Sequence, residues 1–135
     1  MLFGDDHVRR YEETDGEEGY TWMKGAPILI LTTTGRRSGK ERKSPLIFGE
    51  HDGAYVVVAS KGGAPDHPDW YKNLAADPAV RVQVKADKFP ARARTAVGEE
   101  RAKLWSRMVE VWPDYEDYQR KTEREIPVVV LERPA

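Results

Sequence analysis

The run Pro27 to Thr34 is continuously apolar and β-branched, with Ile28-Leu29-Ile30-Leu31 at its centre, and it limits the fold more than any other stretch. Such a run reads as a strand buried on both faces. Its neighbours read as further strands. A turn at Arg36 to Gly39 leads into Glu41 to Glu50, and His51-Asp52-Gly53 is a hairpin signal because Asp-Gly readily supplies the positive φ angles of a tight turn. Tyr55 to Ser60 follows as the third strand. Val80, Val82 and Val84 alternate with Arg81, Gln83 and Lys85, the period of a half-buried strand. Phe89 to Val97 alternates in the same way, with Asp87-Lys88 as the expected turn between the two. Ile126 to Glu132 is the last strand.

Helical spacing fills the gaps. A short helix is expected around Asp5 to Glu13, and another from Pro68 to Ala76, with Asp66 or His67 near its start and Asp77-Pro78 closing it. Its apolar face carries Trp70, Tyr71 and Leu74. Glu99 to Val111 places Ala102, Trp105, Met108, Val109 and Trp112 at three- and four-residue steps, and a further short helix starts at Pro113-Asp114. Turn-linked strand neighbours imply a largely antiparallel sheet, and six strands in so short a chain suggest closure into a barrel. The expected class is mainly β with flanking helices, in one domain: residues 1–25 as a helix and loop, residues 26–135 as the barrel.

Composition narrows the partners. With 22 basic and 23 acidic side chains the formal net charge is −1, so no global field draws the protein to nucleic acid or membrane, and any anion attraction must be local. Cysteine is absent, which excludes disulfides, thiolate metal sites and a cysteine nucleophile. No run of about 18 apolar residues occurs and the N-terminus lacks a secretory layout, so a cytoplasmic protein without integral membrane contact is expected.

Local attraction is concentrated in one place. Arg36, Arg37, Lys40, Arg42 and Lys43 fall within eight residues, threaded by Ser38, Gly39 and Ser44, directly after the apolar run. A buried strand emerging into a glycine-punctuated basic turn can aim guanidinium forks, hydroxyls and backbone N–H groups at one anion. The ordinary alternative for a charge run is a solvated hairpin. A nucleotide-triphosphate loop does not fit, because only three residues separate Gly35 from Gly39-Lys40 and Glu41 follows where a hydroxyl is needed. His7, His51 and His67 lack the paired spacing of a metal site, and no serine sits in a nucleophile elbow.

Two further segments belong with the basic turn. Ala59-Ser60-Lys61-Gly62-Gly63 ends an apolar strand with a hydroxyl, a cation and two glycines, and His67-Pro68-Asp69-Trp70-Tyr71-Lys72-Asn73 opens a helix whose N–H groups can serve an anion. A third group, Trp112, Tyr115 and Tyr118, is spaced by three along the C-terminal helical segment; by spacing alone it reads better as a core-facing stripe.

Four motifs in order resemble the deazaflavin-dependent nitroreductases and quinone reductases of actinobacteria: Leu31 to Gly39, Ala59 to Ala64, Pro68 to Leu74, and Ile126 to Val130. The resemblance runs from about Gly19 to Val130. It implies a six-stranded split β-barrel and coenzyme F420, a 5-deazaflavin whose tail carries a phosphate and several glutamates. By that likeness Arg36, Arg37, Ser38, Arg42, Lys43 and Ser44 hold the tail, and Pro45, Leu46 and Ile47 flank the ring. Val58, Ala59, Ser60 and Lys61 meet the polar edge of the ring, and Asp69, Trp70, Tyr71, Lys72 and Asn73 close the other side. Trp112, Tyr115, Tyr118 and Ile47 line the acceptor pocket, with Tyr115 also touching cofactor; Ser60, Tyr115 and Tyr118 are the candidate catalytic groups, and no metal takes part. Trp112 and Ile47 stand where the nitroreductase pattern has tyrosines.

The expected reaction is hydride delivery from reduced F420 to a small planar electron acceptor, a quinone or nitroaromatic. The alternatives are a split-barrel oxidoreductase using FMN and a non-catalytic F420 carrier. Peripheral membrane association stays open, and a monomer or weak dimer is expected.

Overall fold

The computed structural model describes residues 2–134. Seven strands form one antiparallel sheet: β1 Ile28–Thr34, β2 Glu41–Ile47, β3 Gly49–His51, β4 Ala54–Val58, β5 Ala79–Val84, β6 Asp87–Thr95 and β7 Val128–Glu132. Their order is β2-β1-β5-β6-β7-β4-β3. The sheet curls into a half-barrel, which brings β2 near β4 without pairing them. Four helices flank it: α1 Gly4–Thr14, α2 Asp69–Ala76, α3 Gly98–Val111 and α4 Asp114–Arg120.

Burial follows from the strand patterns. Along β1, Leu29 and Leu31 enter the barrel core with Val57, Trp70, Leu74, Val82, Phe89 and Val129, while Ile28 and Ile30 turn to the opposite face and pack under Val8 and Tyr11 of α1. The continuous apolar run is therefore covered on both sides. On β4 and β7 the same alternation gives Val57, Val129 and Leu131 to the barrel and Val56, Val58, Val128 and Val130 to a second core beneath α3 and α4. Fully burying each such aliphatic side chain contributes about 1.5–3 kcal/mol.

The mainly β class and the flanking helices are as expected, but the strand count is seven, not six. The stretch Glu41 to Glu50 breaks at Phe48, whose ring enters the barrel core, and resumes as the short β3. Gly49 lies there against α3: a Cβ at this position would stand 2.6 Å from Met108 Sδ, so only glycine lets that helix close on the sheet. Pro45 is tolerated because β2 is an edge strand.

The turns divide. Asp52 and Gly53 both take positive φ, 51° and 79°, as the two-residue hairpin requires. The expected turn at Asp87-Lys88 is displaced to Lys85 and Ala86, since Val84 pairs with Asp87. Its cause is remote: the Tyr11 hydroxyl accepts from the Lys85 N–H at 2.7 Å, and Gln83 Nε2 donates to the Lys85 carbonyl at 2.8 Å. That bond also explains why Gln83 is buried among the valines.

The helices need one correction. Asp66 and His67 stand near the start of α2 as expected, and Pro68 occupies its cap without a side-chain bond. On α3 the buried positions are Leu104 and Met108, with Trp105 and Val109 half-buried beside them, and Ala102 faces outward. The stripe is one step wider towards Leu104 than the periodicity from Ala102 indicates.

Candidate functional site

Two adjoining cavities open beside β2. The larger, of about 820 Å³, is lined by Gly35 to Ser38 of the basic turn, Glu41 to Ser44 of β2, Asp69, Trp70 and Asn73 of α2, and the acidic and basic side chains of α1. The smaller, of about 410 Å³, is mainly apolar: Pro45, Leu46 and Ile47 continue β2 along it, and Val58, Ser60, Lys61, Trp112, Tyr115 and Tyr118 complete it. Trp70 belongs to both and forms the wall between them. One strand thus carries a charged groove into an aromatic slot at the step from Ser44 to Pro45.

The groove is built around the turn. Gly35 N–H donates to the Lys40 carbonyl and Gly39 N–H to the Gly35 carbonyl, closing the loop and leaving Lys40 outside the groove. Asn73 Oδ1 accepts from the Arg36 backbone N–H at 3.2 Å and from its Nη1 at 2.9 Å, while Asn73 Nδ2 donates to Thr33 Oγ1 at 3.3 Å. A buried amide therefore aims the Arg36 guanidinium, which also approaches Asp69 at 3.5 Å. Arg37 and Arg42 form no ion pair among the described residues, so with Ser38 and Ser44 they are the donors left for an anion.

Carboxylates share this groove. Lys43 Nζ donates to Glu12 Oε2 at 2.6 Å, and Asp5 and Glu13 of α1 stand along the same wall. Sequence spacing could not disclose this, because α1 and β2 meet only through the fold.

The slot is walled by aromatics in contact. Phe3, Trp22 and Trp112 pack in series, with ring centres 5.7 and 5.9 Å apart, and Trp112 Nε1 donates to the Tyr118 hydroxyl at 3.4 Å. Tyr115 lies 6.1 Å from Tyr118. Burial, helped by the Tyr118 phenol, pushes the Tyr115 hydroxyl well above its ordinary range, so it remains a neutral donor. The stripe is both core and cavity wall: Trp112 and Tyr115 are buried, yet each presents an edge to the slot.

The matched family, over residues 5–133, is described as F420H(2)-dependent quinone reductase. The chain belongs to this family. An F420H(2)-dependent quinone reductase of Mycobacterium tuberculosis, Rv1261c, is 38% identical over 130 residues, covering 94% of this chain and 87% of the relative. Among solved structures, an F420-H2 dependent reductase, FDR-A, is 50% identical with a TM-score of 0.73, covering 78% of this chain and 94% of its own. A structure described as a domain-swapped dimer is 44% identical with a TM-score of 0.76, covering 94% and 98%.

For this member of the quinone reductase family, the expected residues fall into three sets. Arg36, Arg37, Ser38, Arg42, Lys43, Ser44, Asp69 and Asn73 line the groove; Pro45, Leu46, Ile47, Val58, Ser60, Lys61, Trp112, Tyr115 and Tyr118 line the slot; Trp70 lines both. Ala59, Tyr71 and Lys72 line neither. Ala59 is fully buried, the Tyr71 hydroxyl is bonded to Thr95 Oγ1 at 2.9 Å, and Lys72 pairs with Asp66 at 2.6 Å.

Residues outside the expected site set also line the slot or brace the loop beside it. His7 of α1 is buried there, its Nε2–H donating to the Gly19 carbonyl at 2.7 Å, beside Leu2, Phe3 and Trp22. Arg124, outside every motif except by proximity to Ile126, bonds the loop that carries Ser60. Gly63, at φ 84°, is the close-approach point of that loop: an added Cβ would lie 2.6 Å from the Tyr118 carbonyl oxygen.

Proposed function

We propose that the groove and the slot are one site, the groove receiving the phosphate and glutamate tail of coenzyme F420 and the slot receiving its ring beside the electron acceptor. Family membership makes the chain an F420H2-dependent reductase with coenzyme F420 as its cofactor. When bound, that cofactor supplies the hydride chemistry; the protein supplies binding, orientation and exclusion of water. The residues present suit the group. Arg37 and Arg42, without an ion pair among the described residues, are guanidinium forks beside two serine hydroxyls, as a phosphate or carboxylate chain needs, and each charge-assisted bond contributes roughly 1.5–3 kcal/mol before screening. The apolar faces of Pro45, Leu46, Ile47 and Trp70 suit a flat ring, and Ser60 and Lys61 offer polar contacts at its edge.

The observation that carries this reading is the continuity of β2 from Arg42-Lys43-Ser44 into Pro45-Leu46-Ile47, which places charge and apolar surface in the order of a tailed ring. The acceptor is a quinone or nitroaromatic, held against Trp112, Tyr115 and Tyr118. Tyr115, kept protonated, donates a hydrogen bond to an acceptor oxygen as charge develops there.

Titration of the purified protein with F420, followed by cofactor fluorescence, tests the assignment. Saturable micromolar binding is expected, and Arg37→Ala with Arg42→Ala lowers both the affinity and its salt dependence. An unchanged affinity and salt slope in that double variant would place the tail elsewhere. Consumption of reduced F420 with menadione and a nitroaromatic panel then tests the acceptor. A yellow protein with a flavin spectrum favours FMN, and binding without consumption favours a carrier.

A further inference from the structure

Arg124 lies between α4 and β7 and reaches back across the chain to a single loop. Its Nη2 donates to the Ser60 carbonyl at 2.7 Å, its Nε to the Ala64 carbonyl at 2.9 Å and its Nη1 to the Ala59 carbonyl at 3.1 Å. Nη1 also lies 3.0 Å from His67 Nδ1. Four acceptors on one guanidinium are what the planar five-donor fork allows and a lysine ammonium does not. No carboxylate pairs with it among the described residues, so its donors are spent on the loop. Gln119 fixes the backbone from which it extends, donating to the Arg124 carbonyl at 2.8 Å and accepting from the Ile126 N–H at 3.0 Å.

The held loop is the one that gives Ser60, Lys61 and Gly62 to the slot, and Pro68 follows it there. The carbonyls of Ala59, Ser60 and Ala64 turn to the guanidinium, and the Gly63 and Ala64 N–H groups close the turn on the Ser60 and Lys61 carbonyls, so the loop meets the slot through Ser60, Lys61 and Gly62. We infer that Arg124 is the positioning residue for the ring-facing edge of the cofactor slot, and that its bond to neutral His67 makes this positioning pH-dependent. The inference rests on the assignment of the slot to the cofactor ring.

The pH dependence follows from proton bookkeeping on one nitrogen. Arg124 is always a donor, so His67 Nδ1 must offer its lone pair and carry its proton on Nε2. Protonation would set an N–H and a second positive charge against the guanidinium. The groups facing the ring are Arg124, the Tyr71 ring at 4.9 Å, and the Asp66–Lys72 pair, of which Asp66 favours protonation more than Lys72 opposes it. Burial, then the Arg124 charge, holds the His67 imidazole below its ordinary range. The hold is complete above the ordinary imidazole range and is lost as pH falls through the lowered value.

Binding of oxidised F420 is measured from about pH 5 to about pH 8 with wild type, Arg124→Ala, Arg124→Lys and His67→Gln, after near-ultraviolet circular dichroism shows each variant folded. Wild-type affinity falls several-fold towards the acid end. Both Arg124 variants bind roughly tenfold more weakly at the high end, and methylguanidinium restores part of the affinity of Arg124→Ala. His67→Gln, whose amide oxygen accepts from Arg124 at any pH, loses the acid limb. A second readout needs no cofactor: the backbone amide shifts of Lys61 to Ala64 move with one acid midpoint in wild type and stay flat in His67→Gln. Folded Arg124 variants with wild-type affinity, or an acid limb and amide midpoint retained in His67→Gln, overturn the inference. Wild type that fails to bind F420 while its loop amides still follow His67 overturns the cofactor assignment instead, leaving the Arg124–His67 coupling in place.

Discussion

Asn73 shows how a single polar side chain sets a site. It is 3% exposed, bonded to Thr33 on β1 and to both the backbone and side chain of Arg36, so it ties the basic turn to α2. Asn73→Ala leaves those groups unpaired and is expected to cost about 1–3 kcal/mol in urea unfolding, and also to weaken F420 binding because Arg36 loses its aim. Tyr11 plays the corresponding part at the displaced turn. Its hydroxyl donates to the Ile28 carbonyl at 2.9 Å and accepts from the Lys85 N–H, and burial pushes it up to about 12. The unfolded chain loses this proton near pH 10 while the native state keeps it, so the stability it contributes is full below pH 10 and disappears towards about pH 12. Tyr11→Phe should flatten that part of the stability–pH curve and lower stability at neutral pH; denaturant midpoints across the alkaline range check both.

At the level of elements, what the sequence disclosed and what it concealed divide by distance along the chain. The Ile28–Thr34 run, the Asp52-Gly53 hairpin and the Val80–Val84 alternation carry their signals within a few residues, and all three stand where expected. The turn at Lys85 and Ala86 is set by Tyr11, and Gly49 of β3 stands against Met108 of α3. Neither partner lies within reach of a local pattern. The same division runs through the site: the groove and slot residues lie in contiguous motifs, but α1 acids, His7 and Arg124 arrive by folding alone. Gly63 joins these levels, because the short turn Lys61–Gly63 rests on α4 through it. Gly63→Ala combines a positive φ with a clash against the Tyr118 backbone, so a loss above about 2 kcal/mol is expected. Thermal unfolding measures that loss, and weakened acceptor reduction in whatever protein remains folded would show that Tyr115 and Tyr118 move with α4.

For the whole molecule the near-zero net charge hides a local contest. The groove holds Arg9, Arg36, Arg37, Arg42 and Lys43, but α1 lays Asp5, Glu12 and Glu13 along it, and the Glu12–Lys43 pair occupies a cation that a glutamate tail would use. This pair is partly exposed and contributes no more than about 1 kcal/mol to folding. Glu12→Gln should therefore leave stability nearly unchanged while raising F420 affinity by up to about fivefold and steepening its salt dependence. An affinity that falls in this variant would mean that Glu12 orders Lys43 for the ligand instead of competing with it. No helix among the described residues is long and apolar enough to cross a membrane. Finally, the wall between groove and slot is an indole: Trp70 faces both chambers, Trp22 and Trp112 border the slot, and Trp105 packs against Tyr115 one layer behind. Three of the chain's four tryptophans thus stand at the site, so an unlabelled acceptor can be followed into it by quenching of their emission, without any turnover.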